Sequence, residues 1–337
     1  MIDIPGLALE TEALGKRYRS TWALRDCTLA LPEGKVIALV GPNGAGKTTL
    51  LHLAVGLVTA TTGRITVQGG LAAGGPEALA AVGFVPQDAA LYPNLSVADT
   101  IHLARNLNSG FDAARARARV AELDLPLSRK VGRLSGGQRA QIALTLALAK
   151  RPRLLILDEP LSSLDPLARH EFTAALMAAV AEDGITVLYS SHVVSELERV
   201  CDHLVVLNGG RVQIADDVEV LLATHAVYSG PAELADGVGS VLTVVRERRA
   251  GSQAHLLVRT DDAAAGLGAG PAAGLAAGPV AGPAGLSAGE LPAWPPPGWQ
   301  AHPVGLEELI LSYLRQPAAS ALPGAAEPSA SGRSVSA

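Results

Sequence analysis

Gly41-Pro42-Asn43-Gly44-Ala45-Gly46-Lys47-Thr48 is the stretch on which the reading of the fold turns. It follows the apolar run Val36-Ile37-Ala38-Leu39-Val40 and precedes Thr49-Leu50-Leu51-His52-Leu53, so a buried strand, a glycine loop and a helix are predicted in that order. Glycines in such a loop let several backbone N–H groups turn towards one anion, and the helix N-terminus adds its dipole. Lys47 then meets the outer phosphates of a nucleotide and Thr48 a Mg²⁺ ion. A plain glycine-rich turn leaves Lys47-Thr48 at the helix start unexplained.

Two more apolar runs, Leu154-Leu155-Ile156-Leu157 and Ile185-Thr186-Val187-Leu188-Tyr189, also end in polar residues, where open α/β sheets hold ligands. Helix-length amphipathic patterns separate the runs, which predicts an α/β domain with a buried parallel sheet over residues 1–225. The first run delivers Asp158 and Glu159 side by side before Pro160. Adjacent carboxylates can divide labour, Asp158 towards a metal shell and Glu159 towards an attacking water. A turn built from Asp-Glu-Pro is the bland alternative, and the upstream phosphate loop tips the balance towards chemistry.

Leu134-Ser135-Gly136-Gly137-Gln138 opens a helix that continues to Ala149. Ser135 and Gln138 fit a capping box, which leaves the two intervening glycines without a reason. Small residues that bare N–H groups at a helix start suit a phosphate carried by a neighbouring molecule. Ser96 and Asp99 form a capping pair before another helical run, and a further helix starts at Asp112, so a helical subdomain is predicted over about 88–140. Arg115, Arg117 and Arg119 read as a solvated helix surface rather than a basic patch.

Composition excludes several classes. A net charge of −5 from 27 basic and 32 acidic residues gives no electrostatic footprint for nucleic acid, so no nucleic-acid partner is expected. Cys27 and Cys201 cannot form a disulfide framework or a paired-cysteine metal site, which fits a reducing compartment. Asp3, Glu10 and Glu12 stand where a secretory signal would be basic and then apolar. Residues 263–289 run without a charge for a bilayer-spanning length, but 8 Gly and 3 Pro among them predict a flexible linker instead. The expected segments after the first domain are an accessory β-hairpin region (226–262), with strands at 240–246 and 254–259 about a turn at 249–253, and an Ala/Gly/Pro-rich linker (263–299). A short strand and helix (300–316) and a disordered tail (317–337) complete the chain.

Taken in order, the phosphate loop, Gln87 after Val82-Gly83-Phe84-Val85-Pro86, the Ser135–Gln138 signature, Leu157-Asp158-Glu159-Pro160, Ser163-Leu164-Asp165-Pro166 and His192 resemble the nucleotide-binding subunit of an ATP-binding-cassette (ABC) transporter. The likeness spans roughly Leu7 to Leu222, and the signature 88 residues after Lys47 narrows what a phosphate loop alone leaves open. The resemblance implies an α/β P-loop NTPase core of the ABC kind, with an antiparallel β subdomain, an inserted helical subdomain and a small C-terminal β/α accessory region. It implies ATP and Mg²⁺ as cofactors.

Residue by residue, the family pattern implies that Tyr18 stacks on adenine, although an ordinary strand aromatic is the alternative. Gly41, Pro42, Asn43, Gly44, Ala45, Gly46, Lys47, Thr48 and Thr49 cradle the phosphates. Thr48, Gln87 and Asp158 serve the metal, Glu159 activates water, and His192 holds the γ-phosphate, roles that a lone Gln or His would not carry. Ser135, Gly136, Gly137 and Gln138 of a second subunit cover the nucleotide, and Asp165 communicates across that dimer.

The resemblance further implies a second ATP-binding subunit, identical or not, and a separate transmembrane permease subunit, with this chain bound peripherally at the cytoplasmic face of the membrane. Leu91-Tyr92-Pro93-Asn94-Leu95 matches the region that faces the permease. Gly305-Leu306-Glu307-Glu308-Leu309-Ile310-Leu311 resembles the C-terminal segment of bacterial exporter ATPases, so export is expected over import. An importer ATPase, or a soluble ABC ATPase of DNA repair or translation, is the alternative; the soluble kind fits less well without a coiled-coil insertion or a second cassette. A module that binds ATP without hydrolysis is disfavoured by Glu159 and His192.

Overall fold

A computed structural model describes residues 6–260 and 298–322, apart from 195, 196, 199, 240 and 241. Its centre is a six-stranded sheet in the order β10-β9-β3-β8-β7-β6, built from β3 (Val36–Val40), β6 (Val82–Val85), β7 (Leu154–Asp158), β8 (Thr186–Ser191), β9 (His203–Asn208) and β10 (Arg211–Asp217). The strands run parallel except β10, which pairs antiparallel with β9 at the edge.

All five residues of β3 and of β7 are buried, as both faces of the sheet are covered. Successive side chains point to opposite faces. Val36, Ala38 and Val40, with Leu155 and Leu157, enter one core, while Ile37 and Leu39, with Leu154 and Ile156, enter the other. A one-residue slip would exchange the two sets, so the register that aligns the strand ends is firmly specified.

The second core is closed by α1 (Lys47–Ala54) and by an antiparallel sheet, β2-β1-β4-β5, made of β1 (Leu7–Tyr18), β2 (Thr21–Pro32), β4 (Thr62–Val67) and β5 (Leu71–Ala72). A short helix, α2 (Pro76–Ala81), leads into β6. The first core is closed by α5 (Gly136–Ala149) and α6 (Pro166–Asp183).

The helical subdomain holds α3 (Val97–Leu107), α4 (Ala113–Glu122) and the start of α5 around its own cluster, which includes Val97, Ile101, Ala116, Val120, Val131 and Leu134. The cap at Ser96 forms as its sequence suggests, with reciprocal bonds to Asp99, and Asp112 caps α4. The boundary near 140 falls inside α5, because Ile142 and Ala149 serve the subdomain core while Ala143, Leu144 and Ala147 serve the main one. The reading of 115–119 as wholly solvated surface needs correction. Arg115 pairs with Asp183 of α6 and Arg119 donates to Gln141 of α5, because positions i and i+4 share one helix face; only Arg117 points outward.

The accessory region is a four-stranded antiparallel sheet, β12-β13-β11-β14, from β11 (His225–Pro231), β12 (Thr243–Ala250), β13 (Gln253–Arg259) and β14 (Gln300–Pro303). It also holds α7 (Val218–Ala223), α8 (Ala235–Gly239) and α9 (Leu306–Arg315). The hairpin turn is tighter than expected: Arg248 and Arg249 extend the ladder against His255 and Ala254, leaving Gly251-Ser252 to turn with Gly251 at φ 61°.

Trp299 was expected to end the linker; here it lies over Gly230, where a Cβ would come within 2.3 Å of the indole. The tail also departs from expectation. Gln213 Nε2 donates to the carbonyls of Tyr313, Gln316 and Ala319, and Ala321 N–H donates to Gln213 O, so residues 317–322 are fixed against β10. Residues 263–297 of the expected linker and 323–337 of the expected tail lie outside the described residues.

Gln213→Ala removes one amide nitrogen that serves three carbonyls, with the contact to Tyr313 O buried. It should lower unfolding free energy by about 1–3 kcal/mol, measured by urea denaturation, and loosen α9 in hydrogen exchange; an unchanged transition would show that the C-terminal segment docks without it.

Candidate functional site

Asn43, Gly44, Ala45, Gly46, Lys47, Thr48 and Thr49 line a cleft of about 590 Å³ together with Tyr18, Ala23, Gln87, Glu159, Ser162 and His192. That size lies within the usual range for small-molecule sites. The cleft opens where β3 gives way to α1, beside the end of β7. Gly46 is the N-cap of α1 at φ 104°, and a Cβ there would meet Ala23 O at 2.5 Å, so both conformation and space require glycine.

Lys47 is only 5% exposed. Its Nζ donates to Gly41 O at 2.8 Å and Pro42 O at 3.4 Å and lies 3.2 Å from Glu159 Oε1. Gly41 and Pro42 thus serve through carbonyls that fix the lysine. Glu159 is 11% exposed, and its other oxygen, Oε2, lies 3.0 Å from His192 Nδ1. With the carboxylate accepting, Nδ1 carries the donated proton. Two cations or donors therefore converge on one carboxylate, and phosphate oxygens entering the cleft would compete for both.

Glu159 also adopts φ 45°, a left-handed conformation uncommon for a residue with a side chain. Ser190 holds it there. Ser190 Oγ accepts from Glu159 N–H at 2.9 Å and donates to Asp158 Oδ1 at 2.8 Å, and Ser190 O accepts from the same N–H at 3.2 Å. The hydroxyl reaches both residues because Asp158 and Ser190 are register partners in β7 and β8. Ser191 Oγ in turn accepts from Val193 N–H at 3.0 Å and shapes the turn that carries His192. Neither serine stands out by motif; the signal was two hydroxyls closing an otherwise apolar strand run just before a histidine.

Asp158 is buried behind the cleft with Oδ2 free of hydrogen bonds among the described residues. Thr48 and Gln87 line the cleft, and with Asp158 behind it they are oxygen donors of the kind that suits Mg²⁺, which takes few protein ligands and completes its shell with phosphate and water. No cluster of three or more His, Cys, Asp or Glu able to hold a metal exists among the described residues. Tyr18 ends β1 with its ring 46% exposed at the cleft, and Lys16 Nζ sits 5.1 Å from the ring centroid.

The signature residues do not join this cleft. Gly136 lines a separate depression of about 190 Å³ that Gln87 also borders. Ser135 and Gln138 form the full capping box of α5, so that alternative is real. Gly137 has a packing reason, since a Cβ would lie 2.8 Å from Ala168 Cβ, whereas Gly136 meets only Ser163 O at 3.9 Å and stays open to approach. Asp165 caps α6 through Ala168 N–H. Beyond His192, Leu197 N–H donates to Val194 O and Cys201 N–H to Leu197 O. Burial raises the Cys27 thiol and pushes that of Cys201 up to about 11, so neither is poised for thiolate chemistry.

Comparison with known proteins places the chain among ABC cassettes. The ABC transporter family profile matches residues 24–162. The spermidine/putrescine import ATP-binding protein of Methylococcus capsulatus is 35% identical over 278 residues, covering 74% of this chain and 72% of that protein. The Nod factor export ATP-binding protein I of Cupriavidus pinatubonensis is 37% identical over 219 residues, covering 62% and 67%. A solved ATP-binding subunit of an ABC transporter superposes with a TM-score of 0.58 at 30% identity, covering 64% of this chain and 92% of its own. Further relatives carry import names, for Fe(3+) ions and for sulfate/thiosulfate, so the expectation of an exporter is not supported by most of these names.

Ser190→Ala leaves Glu159 N–H its bond to the backbone carbonyl and should therefore fold. Loss of the bond to a carboxylate is worth about 1.5–3 kcal/mol, so kcat for ATP should fall roughly tenfold or more with KM little changed, and Ser190→Thr should restore it. An unaltered kcat would remove Ser190 from the site.

Proposed function

This chain belongs to the ABC transporter ATP-binding family and is an ATPase of the P-loop ABC fold, and from that premise we propose that it is half of a two-subunit motor that drives a membrane permease. The observation that carries this reading is the division of the site: the phosphate loop, Glu159 and His192 share one cleft, which none of Ser135–Gln138 lines, and Gly136 borders a different depression. A second ATP-binding subunit, packed head to tail, brings its signature helix onto the nucleotide held here, and this chain's signature serves the other nucleotide. ATP binding then closes the pair and hydrolysis releases it.

Within one site, Tyr18 stacks on the base and the 43–49 backbone with Lys47 holds the phosphates. Thr48, Gln87 and Asp158 hold Mg²⁺, which when bound supplies charge neutralisation at the phosphates. His192 turns its donor to the γ-phosphate, and Glu159, released from Lys47 and His192 as phosphate takes those donors, orients or deprotonates water. Asp165, at the head of α6, lies near the surface that meets the second subunit.

The permease docks on the groove of about 380 Å³ between the helical subdomain and the core, whose wall includes Leu57, Leu79, Phe84, Leu91 and Phe111. Tyr92, 65% exposed beside it, extends the apolar surface. No helix among the described residues is long and apolar enough to cross a membrane, and in this reading the chain sits peripherally at the cytoplasmic face, held by the permease. As to direction, import is favoured by the names of most similar relatives; export is a second reading, favoured by the 305–311 segment and the Nod factor relative.

Glu159→Gln should retain ATP binding and lose at least ~10²-fold in turnover, the usual share of a general base. Normal steady-state hydrolysis in that variant would sink the assignment of Glu159. Lys47→Ala should instead weaken ATP binding in a fluorescent-nucleotide titration, and wild-type affinity would contradict the role of the loop.

A further inference from the structure

We propose that the accessory region carries a binding site for a small oxyanion, in the cavity between its sheet and α9. Nothing in the motor reading requires such a site, and it stands on a different part of the molecule.

Register aligns the residues. Val227, Leu257 and Arg246 sit opposite one another across β11, β13 and β12, and Ser229, His255 and Arg248 do the same one step along. Residues two apart on a strand share a face, so both arginines project from the same side of the sheet. Helix α9 faces that side and adds Glu308 and Ser312, one turn apart. Together these groups enclose about 180 Å³.

Two features of the cavity call for an anion. Arg246 and Arg248 make no ion pair among the described residues, although Arg249 on the same strand is paired with both Glu247 and Asp236. Glu308 offsets one of the two charges and leaves a net positive cavity. Ser312, 1% exposed, has a buried Oγ without a hydrogen-bond partner among the described residues, a cost that a ligand oxygen would remove. Water could satisfy Ser312 but does not offer the paired oxygens that two neighbouring guanidiniums match. Guanidinium forks match the paired oxygens of phosphate, sulfate or carboxylate. The volume lies below the ~300 Å³ at which pockets take drug-sized ligands, so the ion is small and not a nucleotide.

The test is calorimetric titration of the full chain with inorganic phosphate, sulfate and acetate in separate arms. Because the nucleotide cleft also attracts phosphate, the titrations use Lys47→Ala and, independently, the wild-type chain saturated with ADP. At least one anion is expected to bind in both backgrounds with one-site stoichiometry. Arg246→Gln and Arg248→Gln, both at accessible strand positions, should each weaken it at least tenfold with unchanged thermal unfolding in the absence of anion, and Ser312→Ala should weaken it severalfold while leaving the anion-free chain at least as stable. The arms separate a tetrahedral from a carboxylate ligand. Absence of binding in both backgrounds, or binding indifferent to both arginine substitutions, would overturn the proposal.

Discussion

A buried ammonium organises the site. Lys47 is nearly inaccessible to water, and a charge so placed is tolerable only with compensating partners. Two come from its own loop, the carbonyls of Gly41 and Pro42, and the third is Glu159 at the end of a strand two positions away in the sheet. The pair is formed across β8, whose Ser190 secures Asp158 and the Glu159 peptide at once. Three neighbouring strands must therefore end at matched heights for one ion pair to close. That demand explains why β3, β7 and β8 are buried on both faces and locked in register.

The same constraint gives the cleft its chemistry. Lys47 and His192 both spend their donors on Glu159, so the carboxylate most suited to water is restrained by groups that phosphate would recruit. Strain at Glu159 is consistent with a residue held for function and not for packing. Ser135 and Gln138 satisfy the start of α5 by reciprocal capping bonds, and Asp165 caps α6 through Ala168 N–H.

The central domain was largely readable in the sequence because its signals are local. Apolar runs ending in glycine or carboxylate marked β3 and β7, and capping pairs marked α3 and α5. Ser190 and Ser191 are not legible in the sequence, because their importance lies in cross-strand register, which a single chain pattern does not display. The pairing of Arg115 with Asp183 and the anchoring of residues 317–322 by Gln213 were likewise hidden, since each joins segments distant in sequence. The C-terminal helix was found by its periodicity, yet its packing into the main core through Leu309, Ile310 and Tyr313 makes it part of the cassette's interior rather than an appendage.

The central claim is that one nucleotide site needs two chains, and complementation tests it most directly. Lys47→Ala disables the phosphate loop and spares the signature, while Gly136→Asp places a charge at the open signature position and spares the loop. Each variant alone should be inactive. Mixed in equal amounts, they should recover up to about one quarter of wild-type ATP turnover, because half of the pairs are mixed and each mixed pair has one intact site. A mixture as inactive as either variant alone would contradict the shared site.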